Sequence, residues 1–316
     1  MRLRDCAAIA RLSCLALAFV LFSGCKTIGV EQSSAPSYVR AAENYRHFKD
    51  AGALSAYLRY SSDAGPLLSA HRGGPTPGYP ENCLATMDRV LQTAPALLEV
   101  DVRMTADSTL ILIHDDELAR TTTGSGLVEK HSLAEIRALL LRDERGIITP
   151  FRVPTLAEAL DWAEARAVLT LDVKPGLAPE LLINAIRKHE AGGRVVIIVY
   201  SIPDLMAFTG TAPDLMYSVP AESERDLLAA LDSGVDAERI VVWTGVGEIR
   251  PEVIRLAHAR GIRTMMGTFG EIDERAAAAG ATIYEALLQS GVDVIATDRV
   301  ADVAGAINTF TGFETP

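Results

Sequence analysis

The stretch Leu97-Leu98-Glu99-Val100-Asp101-Val102, followed by Thr109-Leu110-Ile111-Leu112-Ile113-His114-Asp115, decides the fold and points to the site. Leu97, Leu98, Val100 and Val102 read as a buried strand. Glu99 and Asp101 are two apart, so strand geometry turns both carboxylates to one face. Like charges on a buried face repel unless a cation lies between them, and buried charges are usually paired or bind metal. Residues 103–108 are too few for a crossover, so the two runs pair as a hairpin. Folding back around residues 106–109 carries His114 towards Glu99 and Asp101.

Working outward, similar short apolar runs recur at 66–70, 168–173, 194–200, 215–219, 239–243, 262–266 and 292–296. Helical spacing occupies 82–93, 133–140, 155–165, 179–191, 222–234, 251–260 and 285–290. Strands alternating with helices predict a parallel sheet. About eight such units in roughly 250 residues favour an α/β fold of the closed (β/α)8 TIM-barrel type over an open sheet. No G-x-G-x-x-G follows a strand. Nine strand candidates are one too many, so one extra or antiparallel strand is expected near the site, and spacing alone leaves open which one. A small insert is expected after the third strand, at about 115–152.

The N-terminus reads as a targeting segment. Arg2, Arg4 and Arg11 precede an apolar run, residues 12–22, too short to span a bilayer comfortably. Ser23-Gly24-Cys25 then resembles a bacterial lipoprotein signal, with residues 1–24 removed and Cys25 lipidated. Residues 25–64 form a tether and a helical lead-in from Tyr38 to Tyr60, with Gly52 as its weak point. The barrel domain is assigned 65–316. Lys26 favours the outer membrane, so the expected location is the cell envelope, lipid-anchored on its periplasmic face. After cleavage and lipidation only Cys83 remains, read as a small buried residue.

The chain carries −11; residues 1–24 hold three arginines and one aspartate, which leaves −13 for the rest. That balance excludes a nucleic-acid partner. It also means that an anionic substrate must be met by locally concentrated cations.

In barrels the site lies at the C-terminal rim of the strands. There the sequence places His71-Arg72, Glu99 and Asp101, His114-Asp115, and Asp172-Val173-Lys174. Glu99, Asp101 and Asp172 are candidate metal ligands, and oxygen donors suit Mg²⁺ or Ca²⁺. His71 and His114 are an acid/base couple, since imidazole titrates near neutrality. Arg72 and Lys174 are candidate phosphate-binding cations. Glu81 either orients Arg72 or touches the metal, and Asn82 is either an N-cap or part of the site. Trp243 and Phe269 are pocket walls or core. The set suits metal-assisted cleavage of a phosphodiester.

At these residues the chain resembles the glycerophosphodiester phosphodiesterase family over nearly all of 66–300. The family pattern is met by His71-Arg72, Glu81-Asn82, Glu99-Val100-Asp101 and His114-Asp115. Leu118-Ala119-Arg120-Thr121-Thr122 and Val153-Pro154-Thr155-Leu156 are similar to its insert and the exit from it. Ala296-Thr297-Asp298-Arg299 is similar to its last strand. The resemblance implies one divalent cation and hydrolysis of glycerophosphodiesters to sn-glycerol 3-phosphate and an alcohol. The expected small-molecule substrate is a glycerophosphodiester or lysolipid, and the lipoprotein-like signal makes the membrane a partner through the anchor. Asp172 stands where the family usually has Glu. Two alternatives remain open: a related barrel phospholipase of sphingomyelinase D or phosphatidylinositol type, and a non-catalytic binding lipoprotein.

Overall fold

A computed structural model describes residues 43–312. The expected signal peptide, Cys25, the tether and the start of the lead-in lie outside the described residues. The described residues hold nine strands: β1 (Leu67–Ala70), β2 (Leu97–Met104), β3 (Leu110–Leu112), β4 (Val168–Val173), β5 (Val195–Ile198), β6 (Met216–Pro220), β7 (Ile240–Val246), β8 (Thr264–Gly267) and β9 (Val294–Thr297). Eight pair in parallel in the order β1-β9-β8-β7-β6-β5-β4-β2, and β1 returns to β2 through Ser69↔Leu97 and Ala70↔Leu98. This is a closed (β/α)8 barrel. The ninth, β3, lies outside the ring and pairs antiparallel with β2, Val102↔Leu112 to Met104↔Leu110. That hairpin is the one expected from the short spacing.

The helices before, between and after the strands are α1 (Ala51–Leu58), α2 (Leu84–Thr93), α3 (Leu133–Ala138), α4 (Leu156–Ala163), α5 (Pro179–Lys188), α6 (Ile202–Thr211), α7 (Glu224–Asp232), α8 (Pro251–His258), α9 (Glu271–Ala279), α10 (Thr282–Gln289) and α11 (Val300–Thr311). Helices α6, α9 and α11 were not anticipated. Runs such as Glu271-Ile272-Asp273-Glu274-Arg275-Ala276-Ala277-Ala278-Ala279 blur the apolar stripe, because alanine fits buried and exposed faces alike. Among the described residues, no helix is long and apolar enough to cross a membrane.

The lead-in helix differs from its expectation. Residues 43–44 are helical, 45–50 are not, and α1 starts at Ala51, where the Asp50 carboxylate accepts from Ala53 N at 2.8 Å, so the break precedes Gly52, which sits in the first turn. Leu54 and Leu58 of α1 pack onto Leu97, Val168, Val196, Met216, Val241 and Val294 from successive barrel strands. Helix α1 therefore plugs the barrel interior and leaves the opposite rim for chemistry.

Residues between β3 and α4 form a small subdomain with its own core of Ile111, Ile113, Leu118, Val128, Ile136, Leu141 and Val153. Cys83 is 3% exposed within that core, and burial raises its thiol pKa. Capping boxes start α3 (Ser132, Glu135) and α4 (Thr155, Glu158), each satisfying two helix-end donors.

Candidate active site

Register brings the carboxylates together. β2 and β4 run parallel with Asp101 opposite Asp172 and Glu99 opposite Thr170. One oxygen from each of Glu99, Asp101 and Asp172 lies within 4.8 Å of the others, and all three residues are buried. Glu99 and Asp101 do not end their strand, as the sequence suggested. β2 continues three residues to Met104 because β3 supplies hydrogen-bonding partners there.

Three buried carboxylates need compensation. Burial drives the Glu99 pKa well above the ordinary carboxylate range, and the neighbouring Asp101 adds to it. The contact found for Glu99 is the backbone N–H of Arg72, donating to Oε2 at 2.6 Å. Burial also opposes ionisation of Asp101, but the Lys174 charge and N–H donors from Lys174 and Asn82 outweigh it, so the Asp101 pKa is lowered. Lys174 Nζ lies 2.7 Å from Asp101 and 2.5 Å from Asp172. Burial disfavours its charge, yet the two aspartates raise its pKa. An all-oxygen donor set with one member pushed towards protonation fits a hard divalent cation.

β1 ends at Ala70, and His71–Gly73 form a tight turn with Arg72 left-handed at φ 51. The turn aims the Arg72 N–H at Glu99 and sends its guanidinium to Glu81, 3.2 Å from Oε2. At Gly74, φ 76, an added Cβ would meet Val90 at 2.5 Å, so this crowded left-handed corner requires glycine.

Asn82 is not an N-cap. Cys83 holds that position at α2 and makes no side-chain cap. Instead Asn82 Nδ2 donates to Asp101 Oδ2 at 2.7 Å, and Asp101 N donates to Asn82 Oδ1 at 2.9 Å. Asn82 is 2% exposed with φ 54, a left-handed conformation that asparagine tolerates.

The two histidines are each backed by a carboxylate. His71 Nδ1 lies 2.8 Å from Asp298 Oδ1, and its ring stacks on Phe269 at 4.1 Å. His114 Nδ1 lies 2.7 Å from Asp115 Oδ1. Arg120 then joins both sides of the rim. It donates to Asp115 Oδ2 at 2.5 Å and to both Glu81 oxygens at 2.8 Å. Hydrogen bonding to Arg120 holds the Asp115 carboxyl well below the usual range.

His71, His114, Glu99, Asp101 and Asp172 share one cavity of about 390 Å³. Trp243 and Phe269 form part of its wall with rings stacked 6.2 Å apart, and Tyr200, Glu222 and Pro220 complete that side. Such a volume suits a small molecule. Neither cation lines the cavity: Lys174 adjoins it through Asp101 and Asp172, and Arg72 through its backbone N–H to Glu99, while its guanidinium turns to Glu81 outside the lining.

Sequence reasoning missed Asp298, Tyr200 and Arg120 as site residues. Tyr200 donates to Asp172, and burial raises its pKa. It closes the apolar run 194–200, so its strand-end position was a usable signal. Asp298 and Arg120 had appeared only inside stretches similar to the family's last strand and insert. Their partners are 227 and 39 residues away, and no local spacing reports that.

Comparison with known proteins agrees with this geometry. The model of the Glycerophosphoryl diester phosphodiesterase family matches residues 71–223. A glycerophosphodiester phosphodiesterase of Caldanaerobacter subterraneus subsp. tengcongensis is 26% identical over 243 residues, covering 73% of this chain and 93% of its own. A crystal structure of a glycerophosphoryl diester phosphodiesterase from Parabacteroides distasonis superposes with a TM-score of 0.80 at 33% identity, covering 84% of this chain and 94% of its own. A phosphodiesterase of Oleispira antarctica, solved with the product sn-glycerol-3-phosphate, has a TM-score of 0.62 at 22% identity, covering 77% and 97%. At that identity the likeness speaks for the fold alone.

Proposed function

Because this chain belongs to the glycerophosphoryl diester phosphodiesterase family, we propose that it hydrolyses glycerophosphodiesters to sn-glycerol 3-phosphate and an alcohol, using a divalent ion and two histidines. As a family member it is a phosphoric diester hydrolase with a small-molecule glycerophosphodiester substrate. The observation that carries the finer reading is the convergence of His71, His114 and three acidic side chains on one 390 Å³ cavity.

Glu99, Asp101 and Asp172 would hold the ion. When bound it would supply Lewis acidity to the phosphate and lower the pKa of an attacking hydroxyl. His71 and His114 take the proton from the nucleophile and return one to the leaving alkoxide. Arg72 and Lys174 bring positive charge to the phosphate, Lys174 exchanging Asp101 and Asp172 for the substrate's oxygens. Glu81 and Asn82 support the site, Glu81 by orienting Arg72 and Arg120 and Asn82 by fixing Asp101. Trp243 and Phe269 form the apolar wall. We further propose lipidation at Cys25 after removal of residues 1–24, with residues 65–316 as the catalytic domain on the periplasmic face of the outer membrane.

The test is release of sn-glycerol 3-phosphate from glycerophosphocholine, first with EDTA and then with Mg²⁺ or Ca²⁺ restored. Metal-restored release is expected, together with losses of about 10²-fold or more in His71→Ala and His114→Ala, both of which stay folded. Choline from a lysolipid with no sn-glycerol 3-phosphate would move the chain to the phospholipase alternative. Wild-type turnover in either histidine variant would remove that histidine from the mechanism.

A further inference from the structure

We propose that Asp298, held by the buried Asp273, is the positioning residue that fixes the ring orientation and tautomer of His71; the proposal rests on the acid/base role of His71 given above. A carboxylate has no proton to give, so at 2.8 Å from Asp298 Oδ1 the Nδ1 of His71 must donate. The neutral imidazole then carries its lone pair on Nε2, the nitrogen left for the cavity that His71 lines. Phe269, stacked at 4.1 Å and 11°, limits ring rotation from the other side.

Asp298 is itself anchored. Its backbone N–H donates to Asp273 Oδ2 at 2.8 Å, and Thr297 Oγ1 donates to the same oxygen at 2.8 Å. Tyr284 donates to Asp273 Oδ1 at 2.8 Å. Asp273 is 5% exposed, and Tyr284 and Thr297 are fully buried. Three donors thus converge on one carboxylate beneath the end of β9, and water does not replace them there. Asp273 N also donates to the Thr268 carbonyl, which ties the anchor to the loop carrying Phe269. The ring partner and the carboxylate partner of His71 are therefore set by the same network.

His114 is held differently. Its partner Asp115 is shared with the Arg120 guanidinium, whereas among the described residues no guanidinium is found on the Asp298 carboxylate. The two histidines are separately oriented, so loss of one support leaves the other intact.

The experiment is ¹⁵N NMR of the His71 ring nitrogens in the full chain, assigned by comparison with His71→Gln, alongside kcat and KM on glycerophosphocholine with Mg²⁺. In the parent protein neutral His71 should carry its proton on Nδ1. Asp298 is 45% exposed at its side chain, so Asp298→Ala keeps the fold. That variant should shift the proton to Nε2 and lower kcat by about 10²-fold or more with KM changed less than about threefold. Asp298→Asn, whose carbonyl still accepts, should restore the Nδ1–H form and part of kcat. An unchanged tautomer together with kcat within about twofold in Asp298→Ala would overturn the proposal. Asp273→Asn should give an intermediate spectrum and rate, and parent-like values would remove Asp273 from it. If His71→Ala itself turns over normally, the acid/base reading fails, while the tautomer measurement still decides the pairing.

Discussion

Replacing Asn82 separates a lock on the acidic triad from an ordinary helix cap. Asn82 gives Asp101 one charge-assisted bond, worth about 1.5–3 kcal/mol, and accepts its backbone N–H, whose loss costs about 1–3 kcal/mol when buried. Asp101 is 1% exposed, so water does not take over either role. An alanine held at φ 54 adds about 1 kcal/mol of backbone strain. Because the bonds share a partner, the parts do not add fully; Asn82→Ala should cost about 3–5 kcal/mol. A barrel of this size loses about 2–4 °C of Tm per kcal/mol, so calorimetry should show a fall of about 10 °C. Asn82→Gly is the discriminating variant. Glycine accepts the left-handed backbone but makes neither bond, so most of the loss should persist, about 2–4 kcal/mol. A capping asparagine replaced by glycine costs only a few tenths of a kcal/mol. Asn82→Gly melting within about 1 °C of the parent would refute the lock.

Three further predictions follow from the site. Glu99 has a folded pKa raised above its unfolded value, so its contribution to stability is present below the ordinary carboxylate range and lost as pH rises. Without metal, Tm should therefore fall between pH 5 and 8, and Mg²⁺ or Ca²⁺ should raise it more at pH 8 than at pH 5; equal shifts at both pH values would remove Glu99 as a ligand. Asp115 has the opposite sign: its pKa is depressed by Arg120, so that stability is present above the ordinary Asp value and lost in stronger acid. Arg120→Met should melt lower than the parent at pH 7, with the gap narrowing as pH falls from 4 towards 2, and a pH-independent gap would show that the pair contributes packing alone. A Cβ at Gly267 would lie 2.7 Å from Trp243 and 2.9 Å from Phe269, so Gly267→Ala should displace the aromatic wall and the ring stacked on His71. A loss of about tenfold or more in kcat/KM is expected, and parent-like kinetics would show that the wall adjusts without consequence.

The sequence by itself determined the barrel and most of its rim. Apolar runs at 97–102 and 168–173 are long enough to read as buried strands, and period-two spacing put Glu99 with Asp101 on one face. The six residues at 103–108 permitted only a hairpin, which the pairing of β2 with β3 bears out. Such features are local, and local sterics and burial encode them directly. Helices α6, α9 and α11 were lost because alanine and small residues carry little periodic signal. What only the tertiary structure decided are the pairings: Asn82 with Asp101, Arg120 with Glu81, Tyr200 with Asp172, and His71 with Asp298. Each joins side chains from separate elements across barrel closure or the insert. Closure sets β1 beside β9, so the turn at His71 meets the residue just after Thr297. No spacing along the chain records that neighbourhood, because it exists only once eight strands have closed into a ring.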